Sequence, residues 1–211
     1  MYISEYMTSN PVTVGPKLPL PEARRILNEF HFRHLPVVDE ENRLIGIITD
    51  RDLRSAYPSS VITKGERILA YEQVEKTTVA DIMTTSCSSL DLDANLDDAL
   101  FIFDRDQVGG IPILDKGDKV VGIFSLLDLT SAYTKLFGTA EKNSVLVGVK
   151  DDKRENILCE ITTLLEKEGI PLTRLLRLDG DAGTAKIYIR INVVDSQHIH
   201  KLLLLNDFVL L

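Results

Sequence analysis

The amino-acid sequence predicts an α+β fold in which two tandem copies of one β-α-β-β-α unit are followed by a third segment of different pattern. Two observations predict this organisation. A stretch of sequence recurs at a constant offset, and within each copy the hydrophobic residues switch between a helical period and short strand-like runs. The length of 211 residues allows one to two domains with buried cores.

The repeat sets the domain organisation. Residues 46–53 (GIITDRDL) recur as residues 122–129 (GIFSLLDL), an offset of 76 positions. The same offset relates residues 7–8 to residues 83–84, both Met-Thr. Because one offset is kept along the whole repeat, we interpret it as an internal duplication. The chain then divides into copy one (1–60), a connector (61–76), copy two (77–137) and a third segment (138–211).

Each copy has the periodicity of one amphipathic helix and one β-hairpin. Apolar residues at i, i+3, i+4 and i+7 mark the helix. They are Ala23, Ile26, Leu27 and Phe30 in copy one, and Leu96, Ala99, Leu100 and Phe103 in copy two. In copy one, apolar runs at 35–38 and 44–48 flank a polar turn at 39–43, and the turn of copy two is 115–119. This pattern predicts two consecutive antiparallel strands in each copy.

Further elements complete each copy. A strand near Val12 or Ser88 is expected to open it and a second helix to close it. Because one such unit has a small core, we expect the two copies to pack on each other. The connector predicts a short exposed helix at 64–76 that carries Ile68 and Leu69.

The third segment predicts the order βαββαβ of a ferredoxin-like unit. Ile157, Ile161, Leu164 and Leu165 mark one face of its first helix, which Gly169 is expected to end. Strands are predicted at 144–149, 171–178, 184–193 and 208–211, a turn at 179–183 and a second helix at 196–205.

Composition and charge exclude several classes of function. Lys and Arg number 24 against 32 Asp and Glu, and the net charge of −8 opposes binding to nucleic acid or anionic lipid. Neither a membrane-spanning stretch nor a secretory signal is apparent, so we expect a cytoplasmic protein. Cys87 and Cys159 are too isolated for a disulfide framework. On the predicted helix His198 and His200 diverge by about 200°, so no metal site is expected.

The residues that could carry chemistry are Thr49 and Asp52, with Ser125 and Asp128 at the equivalent positions. One interpretation is a helix capping box, which needs no ligand. The alternative is a nucleotide site, because hydroxyl and backbone N–H groups suit a phosphate and a carboxylate accepts hydrogen bonds from a ribose diol. The motif occurs in both copies after a glycine-containing apolar strand, which favours the second interpretation.

With this doubled motif, residues 1–137 resemble a tandem pair of cystathionine-β-synthase-type (CBS) domains. The resemblance implies a cleft that binds an adenosine-containing ligand such as AMP, ADP, ATP or S-adenosylmethionine. It implies that Asp52 and Asp128 hold ribose hydroxyls, and that Thr49 and Ser125 contact the phosphate or ribose. The residues implied to border adenine are Val12, Thr13 and Ile47 in copy one, with Ser88, Ser89 and Ile123 in copy two.

Charge ranks the two sites. Arg33 and His34 precede the first hairpin strand of copy one, where the resemblance implies phosphate-binding basic residues, whereas residues 109–110 of copy two are glycines. Copy one has a net charge of −1 and copy two of −6. We therefore expect a stronger phosphate site around Asp52 and a weaker one around Asp128, although the basic pair could also reach across the cleft. A purely structural role for His34 stays open.

The C-terminal residues 144–211 resemble an ACT domain, a ferredoxin-like unit that senses small molecules. Asn156 stands where that family places a ligand-contacting glycine, and Asn tolerates the left-handed backbone conformation. Both amino-acid binding and a dimerisation module without ligand stay open at this point.

The order of a CBS pair and an ACT domain is similar to the bacterial acetoin utilisation protein B family. This resemblance implies a non-enzymatic, homodimeric sensor in which the ligand shifts the packing of the repeats and an unidentified regulated protein responds, in acetoin or related carbon metabolism. Two alternatives are a ligand-independent dimeric scaffold and an unrecognised enzyme that uses Asp52 and Asp128. The second has little support, because the sequence offers no matching general acid or base.

Overall fold

The chain forms two compact units, Met1–Ser131 and Ala132–Leu211. The structure is a computed structural model that describes residues 1–58, 63–180, 185–193 and 196–211. The predicted junction between copy one and the connector, at residues 60–61, therefore lies outside the described residues, as does most of the predicted turn at 179–183. No helix in these four ranges has the length and apolarity needed to cross a bilayer.

The two copies of the repeat have matching elements. Copy one contains β1 (Thr8–Ser9), α1 (Leu20–Glu29), β2 (His34–Val38), β3 (Leu44–Thr49) and α2 (Asp50–Ala56). The connector is α3 (Lys64–Lys76). Copy two contains β4 (Leu90–Asp91), α4 (Leu96–Asp106), β5 (Gly110–Leu114), β6 (Val120–Ser125) and α5 (Leu126–Phe137). The two hairpins, β2–β3 and β5–β6, are antiparallel as predicted. Because α5 runs from the first unit into the second, the division between the units lies inside this helix.

The opening strands differ from the prediction. Val12 is not in a strand, and pairing is limited to Val14, which bridges Val37 in parallel. Pro11 and Pro16 flank this stretch, and because proline has no N–H to donate, the ladder cannot extend. In copy two the strand begins at Leu90, beyond Ser88, and pairs in parallel with β5.

The core-facing stripes of α1 and α4 also differ in part from the predicted pattern. Phe30 follows the end of α1 and is half exposed, stacked on Phe32 at 5.5 Å between ring centroids. In α4 the predicted Leu100 is 43% exposed, whereas Ile102 is buried. The buried stripe Leu96, Ala99, Ile102 and Phe103 shows that the helix is rotated relative to the prediction by a fraction of a turn.

The connector helix α3 belongs to the core of copy one. Ile68 and Leu69 are exposed, as predicted, but Val74 is buried in a cluster that includes Leu20 and Ala23 of α1. Copy one is therefore covered on this side by a helix that has no counterpart in copy two.

Each copy places its leading segment, residues 8–9 in copy one and residue 84 in copy two, on the hairpin of the other copy. Strand β1 pairs with β6, with Thr8 opposite Ile123. At the equivalent position, Thr84 bridges Ile47 of β3. Arg43 bridges Lys119, and these two residues are 76 positions apart, so a local two-fold axis passes between them. The exchange joins the two copies into one unit, as the small core of a single copy led us to expect.

In its described residues, the second unit is a three-stranded antiparallel sheet with two helices. Its elements are β7 (Ser144–Lys150), α6 (Ile157–Lys167), β8 (Leu172–Leu178), β9 (Lys186–Asn192) and α7 (Ser196–Leu205). The strand order is β7-β9-β8. The predicted last strand is reduced to one bridge between Leu210 and Val149, because only the final residues reach the outer edge of β7. Gly169, at φ +65°, follows the end of α6, as predicted.

Candidate functional site

The Thr49–Asp52 pair forms a reciprocal capping box at the start of α2. One carboxylate oxygen of Asp52, Oδ2, accepts hydrogen bonds from the Thr49 backbone N–H at 2.8 Å and from the Thr49 hydroxyl at 2.6 Å. The Asp52 N–H in turn donates to the Thr49 hydroxyl oxygen at 3.3 Å. The other carboxylate oxygen, Oδ1, accepts no hydrogen bond from any described residue. Half of the carboxylate is thus fixed in position, and half remains free to accept from a ligand.

The Ser125–Asp128 pair repeats this geometry at the start of α5. Asp128 Oδ2 accepts from the Ser125 N–H at 2.8 Å and from its hydroxyl at 2.7 Å. All four residues of the two pairs are half-buried. The capping interpretation is therefore correct as a description of the hydrogen bonds. It does not distinguish these pairs, since further capping boxes begin at Thr63, Thr78 and Asn95.

The contact between copies sets these two pairs apart from the other capping boxes. Gly46, on β3, lies against the other copy so closely that a Cβ there would be 2.9 Å from both Met83 Sδ and the Thr84 carbonyl oxygen. At the equivalent position, Gly122 lies against Met7, with even less room. Each glycine is required for this close approach, because real Cβ contacts are not found at such distances. Each capping pair consequently follows a strand that borders the other copy.

Met7 and Met83 are site-bordering residues that the sequence analysis did not identify as such. The sequence contained a signal for them, since the Met-Thr pair recurs at the same offset of 76 positions as the motif of Thr49 and Asp52. Periodicity within one copy could not reveal that each methionine packs on the opposite hairpin.

Arg33 and His34 lie beside the Asp52 pair. His34 is directly opposite Thr49 in the β2–β3 hairpin. The Arg33 carbonyl oxygen accepts the Asp50 N–H at 3.0 Å, which ties the basic pair to the start of α2. Burial lowers the pKa of His34 below its ordinary value, an effect that Asp50 and Asp52 oppose and Arg33 reinforces. Residues 33 and 34 therefore lie at the same end of the copy-one hairpin as Asp52, whose charge acts on the His34 ring.

Two of the residues expected to border adenine lie at the contact between the copies. Ile47 lies beside Thr84 of copy two, and Ile123 lies beside Thr8 of copy one. Val12 packs against the hydrophobic core of copy one, and the neighbouring Val14 bonds to the Pro36 carbonyl oxygen of the same hairpin. That Val12 and Thr13 border adenine together with Ile47 stays a prediction.

Ser88 and Ser89 have separate surroundings. The Ser88 hydroxyl donates to Asp106 at the end of α4, and Arg105 also holds that carboxylate. These two hydrogen bonds lower the pKa of Asp106 to about 2. The hydroxyl hydrogen of Ser88 is thus used by Asp106, and the expected place of Ser88 beside adenine stays a prediction. Ser89 instead lines a cavity.

That cavity has a volume of about 390 Å³ and is bordered by both copies, with Ile45, Arg43 and Asp118 among its lining residues. Ile45 is four residues before Thr49 on β3, a distance of about 13 Å along a strand. The cavity therefore lies toward the turn end of the hairpin, away from the capping pairs. No group of three or more His, Cys, Asp or Glu side chains suited to a metal ion occurs within the described ranges.

In the second unit, Asn156 precedes α6 in the left-handed conformation, with φ 65° and ψ 18°. The turn expected where the ACT family has a glycine is therefore formed with Asn in its place. Close by, Asp151 is buried and its Oδ2 accepts a hydrogen bond from Arg177 Nε at 2.6 Å. Asp151 Oδ1 accepts the Lys153 N–H at 2.9 Å, so the loop between β7 and α6 is held by one buried carboxylate.

Comparison with known proteins identifies the family of the repeat. The family model of the CBS domain matches residues 3–59 and 79–135, more than half of the chain. An inosine-5'-monophosphate dehydrogenase of Aquifex aeolicus is 31% identical over 170 residues, which cover 76% of this chain and 30% of that protein. The chain spans 30% or less of the length of the dehydrogenases that it matches. A CBS domain-containing protein of Dictyostelium discoideum is 29% identical, over 64% of this chain and 92% of that protein.

Two solved structures are similar to the chain. The CBS domain pair of protein MJ0100, in complex with 5'-methylthioadenosine and S-adenosyl-L-methionine, is 27% identical with a TM-score of 0.53 and covers 63% of this chain and 99% of that one. A Vibrio cholerae protein provisionally named as the acetoin utilization protein AcuB is 26% identical with a TM-score of 0.55, over 67% of this chain and 96% of that one.

Proposed function

Because the chain belongs to the CBS domain family, we propose that it is a non-catalytic regulatory sensor that binds an adenosine-containing ligand between its two repeats. The observation that carries the proposal is the exchange of leading segments. It places Thr84 beside Ile47 and Thr8 beside Ile123, so residues of both copies lie next to the strand that leads into each capping pair. A ligand held there contacts both copies and favours the packing that it fits best.

The side chains suit a nucleoside with a phosphate. The free Oδ1 of Asp52 is available for a ribose diol, while Oδ2 is held by Thr49. Arg33 supplies positive charge to a phosphate on the same edge, and His34, whose burial favours the neutral ring, offers a hydrogen-bond donor. Asp128 offers the same ribose contact beside Gly109 and Gly110, which supply no side chain. The cleft around Asp52 is therefore proposed to bind phosphate-bearing ligands more tightly than the cleft around Asp128.

The ligand class is AMP, ADP, ATP or S-adenosylmethionine, acting as a regulatory ligand and not as a catalytic cofactor. The bound 5'-methylthioadenosine and S-adenosyl-L-methionine of the MJ0100 pair support the adenosine class. Both share the nucleoside that the Asp52 and Asp128 carboxylates would recognise, and they differ in what replaces the phosphate. Assays must therefore include ligands with and without negative charge at the 5' position.

The remaining parts of the proposal concern assembly. The second unit is proposed to be an ACT-like domain that relays the ligand state to a regulated protein, and the left-handed conformation of Asn156 supports this.

A homodimer is supported by exposed apolar residues on α4 and α5. Four exposed residues of copy two, Leu100, Phe101, Leu126 and Leu127, stand at the positions of Arg24, Arg25, Asp50 and Arg51 in copy one. Cytoplasmic location and a role in acetoin or related carbon metabolism are further parts of the proposal, the latter supported by the AcuB similarity.

Thermal unfolding with added ligand tests the function. Ligand at about 100 times its dissociation constant adds ~2.7 kcal/mol to the free energy of unfolding. For a domain of this size that corresponds to roughly 5 to 11 °C in melting temperature. A shift with AMP, ADP, ATP or S-adenosylmethionine, absent in Asp52→Ala/Asp128→Ala, is the expected result. No shift at millimolar ligand, with intact dimers, would favour the ligand-independent scaffold; turnover of the nucleotide would favour an enzyme.

A further inference from the structure

Helix α5 carries the capping pair of copy two at its start and ends in the second unit. Asp128 Oδ2 accepts the Ser125 N–H at 2.8 Å in its first turn. The equivalent helix of copy one, α2, has 7 residues against 12 in α5, and it ends at Ala56, within the first unit. Of the two capping pairs, the pair of copy two therefore begins a helix that reaches the second unit.

A turn of the main chain closes the end of α5. Gly138 follows the helix with φ +64°, and its N–H donates to the Lys135 carbonyl oxygen at 3.2 Å. The Thr139 N–H donates to the Thr134 carbonyl oxygen at 3.1 Å. These two hydrogen bonds form a Schellman motif, in which glycine adopts the left-handed conformation at low cost.

A side chain of the second unit's sheet holds the same end of α5. Arg174, on β8, donates from Nε to the Leu136 carbonyl oxygen at 2.8 Å and from Nη2 to the Lys135 carbonyl oxygen at 3.0 Å. We call these two hydrogen bonds the clamp. A carboxylate oxygen of Glu141 lies 2.7 Å from Arg174 Nη2 and orients the guanidinium, and the hydrogen bond lowers the pKa of Glu141. A positive charge at the C-terminus of a helix is also favoured by the helix dipole.

The clamp is close enough to the capping pair, and weak enough, to respond to it. Asp128 and Lys135 are seven positions apart, about 10 Å along a helix. The side chain of Arg174 is 32% exposed and that of Glu141 is 37% exposed, so water competes for these groups and the clamp can open locally. Because a short helix forms cooperatively, a more stable first turn of α5 favours an intact last turn and a closed clamp.

We infer that Arg174 is a positioning residue that couples the second unit to a ligand in the Asp128 cleft and not to a ligand in the Asp52 cleft. The inference rests on the proposed function and adds which of the two clefts is read. A ligand at Asp128 stabilises the start of α5, so the clamp is closed more of the time. A ligand at Asp52 stabilises the start of α2, which ends in the first unit and does not reach the clamp.

Hydrogen exchange of the full chain, followed by mass spectrometry, tests the inference. AMP and S-adenosylmethionine are added separately, at saturating concentration, to the unaltered protein, Asp52→Ala and Asp128→Ala. At least one ligand is expected to slow exchange at residues 138–143 by about threefold or more in the unaltered protein and in Asp52→Ala. In Asp128→Ala the change should be less than about 1.5-fold. Equal protection of residues 138–143 in Asp128→Ala and the unaltered protein would overturn the inference.

Two further variants test the clamp itself. Arg174→Gln should keep the ligand's protection of residues 126–131 and lose it at residues 138–143. A purely structural role for Arg174 would raise exchange at residues 138–143 with and without ligand and leave the response to ligand unchanged, and that result would refute the inference. Lys150→Gln, which removes an exposed charge from β7 of the same sheet, should respond to ligand as the unaltered protein does.

The same measurement without ligand separates the inference from the proposed function. Asp128→Ala should raise exchange at residues 138–143 by about threefold or more, because α5 loses its cap, whereas Asp52→Ala should change it by less than about 1.5-fold. Unchanged exchange in ligand-free Asp128→Ala would contradict the inference whatever the chain binds. If calorimetry shows that neither ligand binds the unaltered protein, the proposed function falls and the inference with it. If a ligand binds and residues 138–143 do not respond, the inference alone is wrong.

Discussion

Thr84 of copy two and Ile47 of copy one exchange backbone hydrogen bonds in both directions, each 2.9 Å long. The bonds span the boundary between two repeats that the sequence presents as consecutive units. Ile47 is two residues before Thr49, so the strand that delivers the capping pair of one copy is also paired with the other copy. Any movement between the copies must therefore act on the candidate site.

Substitution of Gly46 tests this close approach. Gly46→Ala is expected to lower the free energy of unfolding by about 1–3 kcal/mol, because the new Cβ would be 2.9 Å from the Thr84 carbonyl oxygen, a backbone atom that cannot rotate away. Urea denaturation of both proteins measures the loss. Gly65→Ala is the matched control, since a Cβ at Gly65 meets no atom within 4 Å. Equal stability of Gly46→Ala and the unaltered protein would contradict the packing.

Separate substitutions of the two aspartates test the ranking of the clefts. Asp52→Ala is expected to weaken AMP binding more than Asp128→Ala, because only the first cleft has Arg33 on its own copy. Isothermal titration with AMP gives both affinities. Loss of AMP binding in Asp128→Ala, with binding intact in Asp52→Ala, would reverse the ranking. Because each aspartate also caps a helix, both variants should lose about 0.5–2 kcal/mol of stability.

The burial of His34 predicts a dependence of stability on pH. The pKa of His34 is lowered in the folded state by desolvation, so the unfolded chain binds a proton more readily. The stability of the folded state is therefore undiminished above the unfolded pKa of about 6.5, and it falls as pH drops below that value and through the lower folded pKa. We expect the melting temperature to drop more between pH 7.5 and 5.5 in the unaltered protein than in His34→Gln. A drop of the same size in both would show that His34 does not contribute.

Buried Asp151 is predicted to stabilise the second unit. Asp151→Ala removes the acceptor for Arg177 Nε and for the Lys153 N–H. We expect the free energy of unfolding to fall by about 1–3 kcal/mol. A larger loss is not expected, because Arg177 is partly exposed and solvent screens the ion pair. Thermal unfolding, followed by circular dichroism, measures it. The control is Asp179→Ala, an exposed aspartate after β8. If the two variants unfold at the same temperature, the buried carboxylate has no such role.

Much of the fold could be predicted because hydrophobic period and turn residues are local properties of the sequence within each copy. Both hairpins, their turns and the helix at 64–76 follow from hydrophobic period and turn residues. The exchange of leading segments could not be predicted, since periodicity identifies strands but not their partners. The pairing of Thr84 with Ile47 and of Thr8 with Ile123 results from that exchange.

The candidate site was predicted in part for the same reason. The motif located the capping pairs, and their hydrogen bonds have the geometry that the spacing indicates. The commitment of Ser88 to Asp106 could not be inferred, because the two residues are 18 positions apart and on different elements. The difference between residues 33–34 and 109–110 was visible in the sequence, but the packing of the His34 ring on Gly110, where a Cβ would be 2.8 Å from His34 Cγ, was not.

The most direct test of the account is calorimetric titration of the chain with AMP and S-adenosylmethionine, in the unaltered protein and in Asp52→Ala/Asp128→Ala. We expect saturable binding of at least one ligand by the unaltered protein and its loss in the double variant, with the fold of both confirmed by circular dichroism. Undiminished binding in the double variant, or no binding of either ligand to the unaltered protein at millimolar concentration, would contradict it.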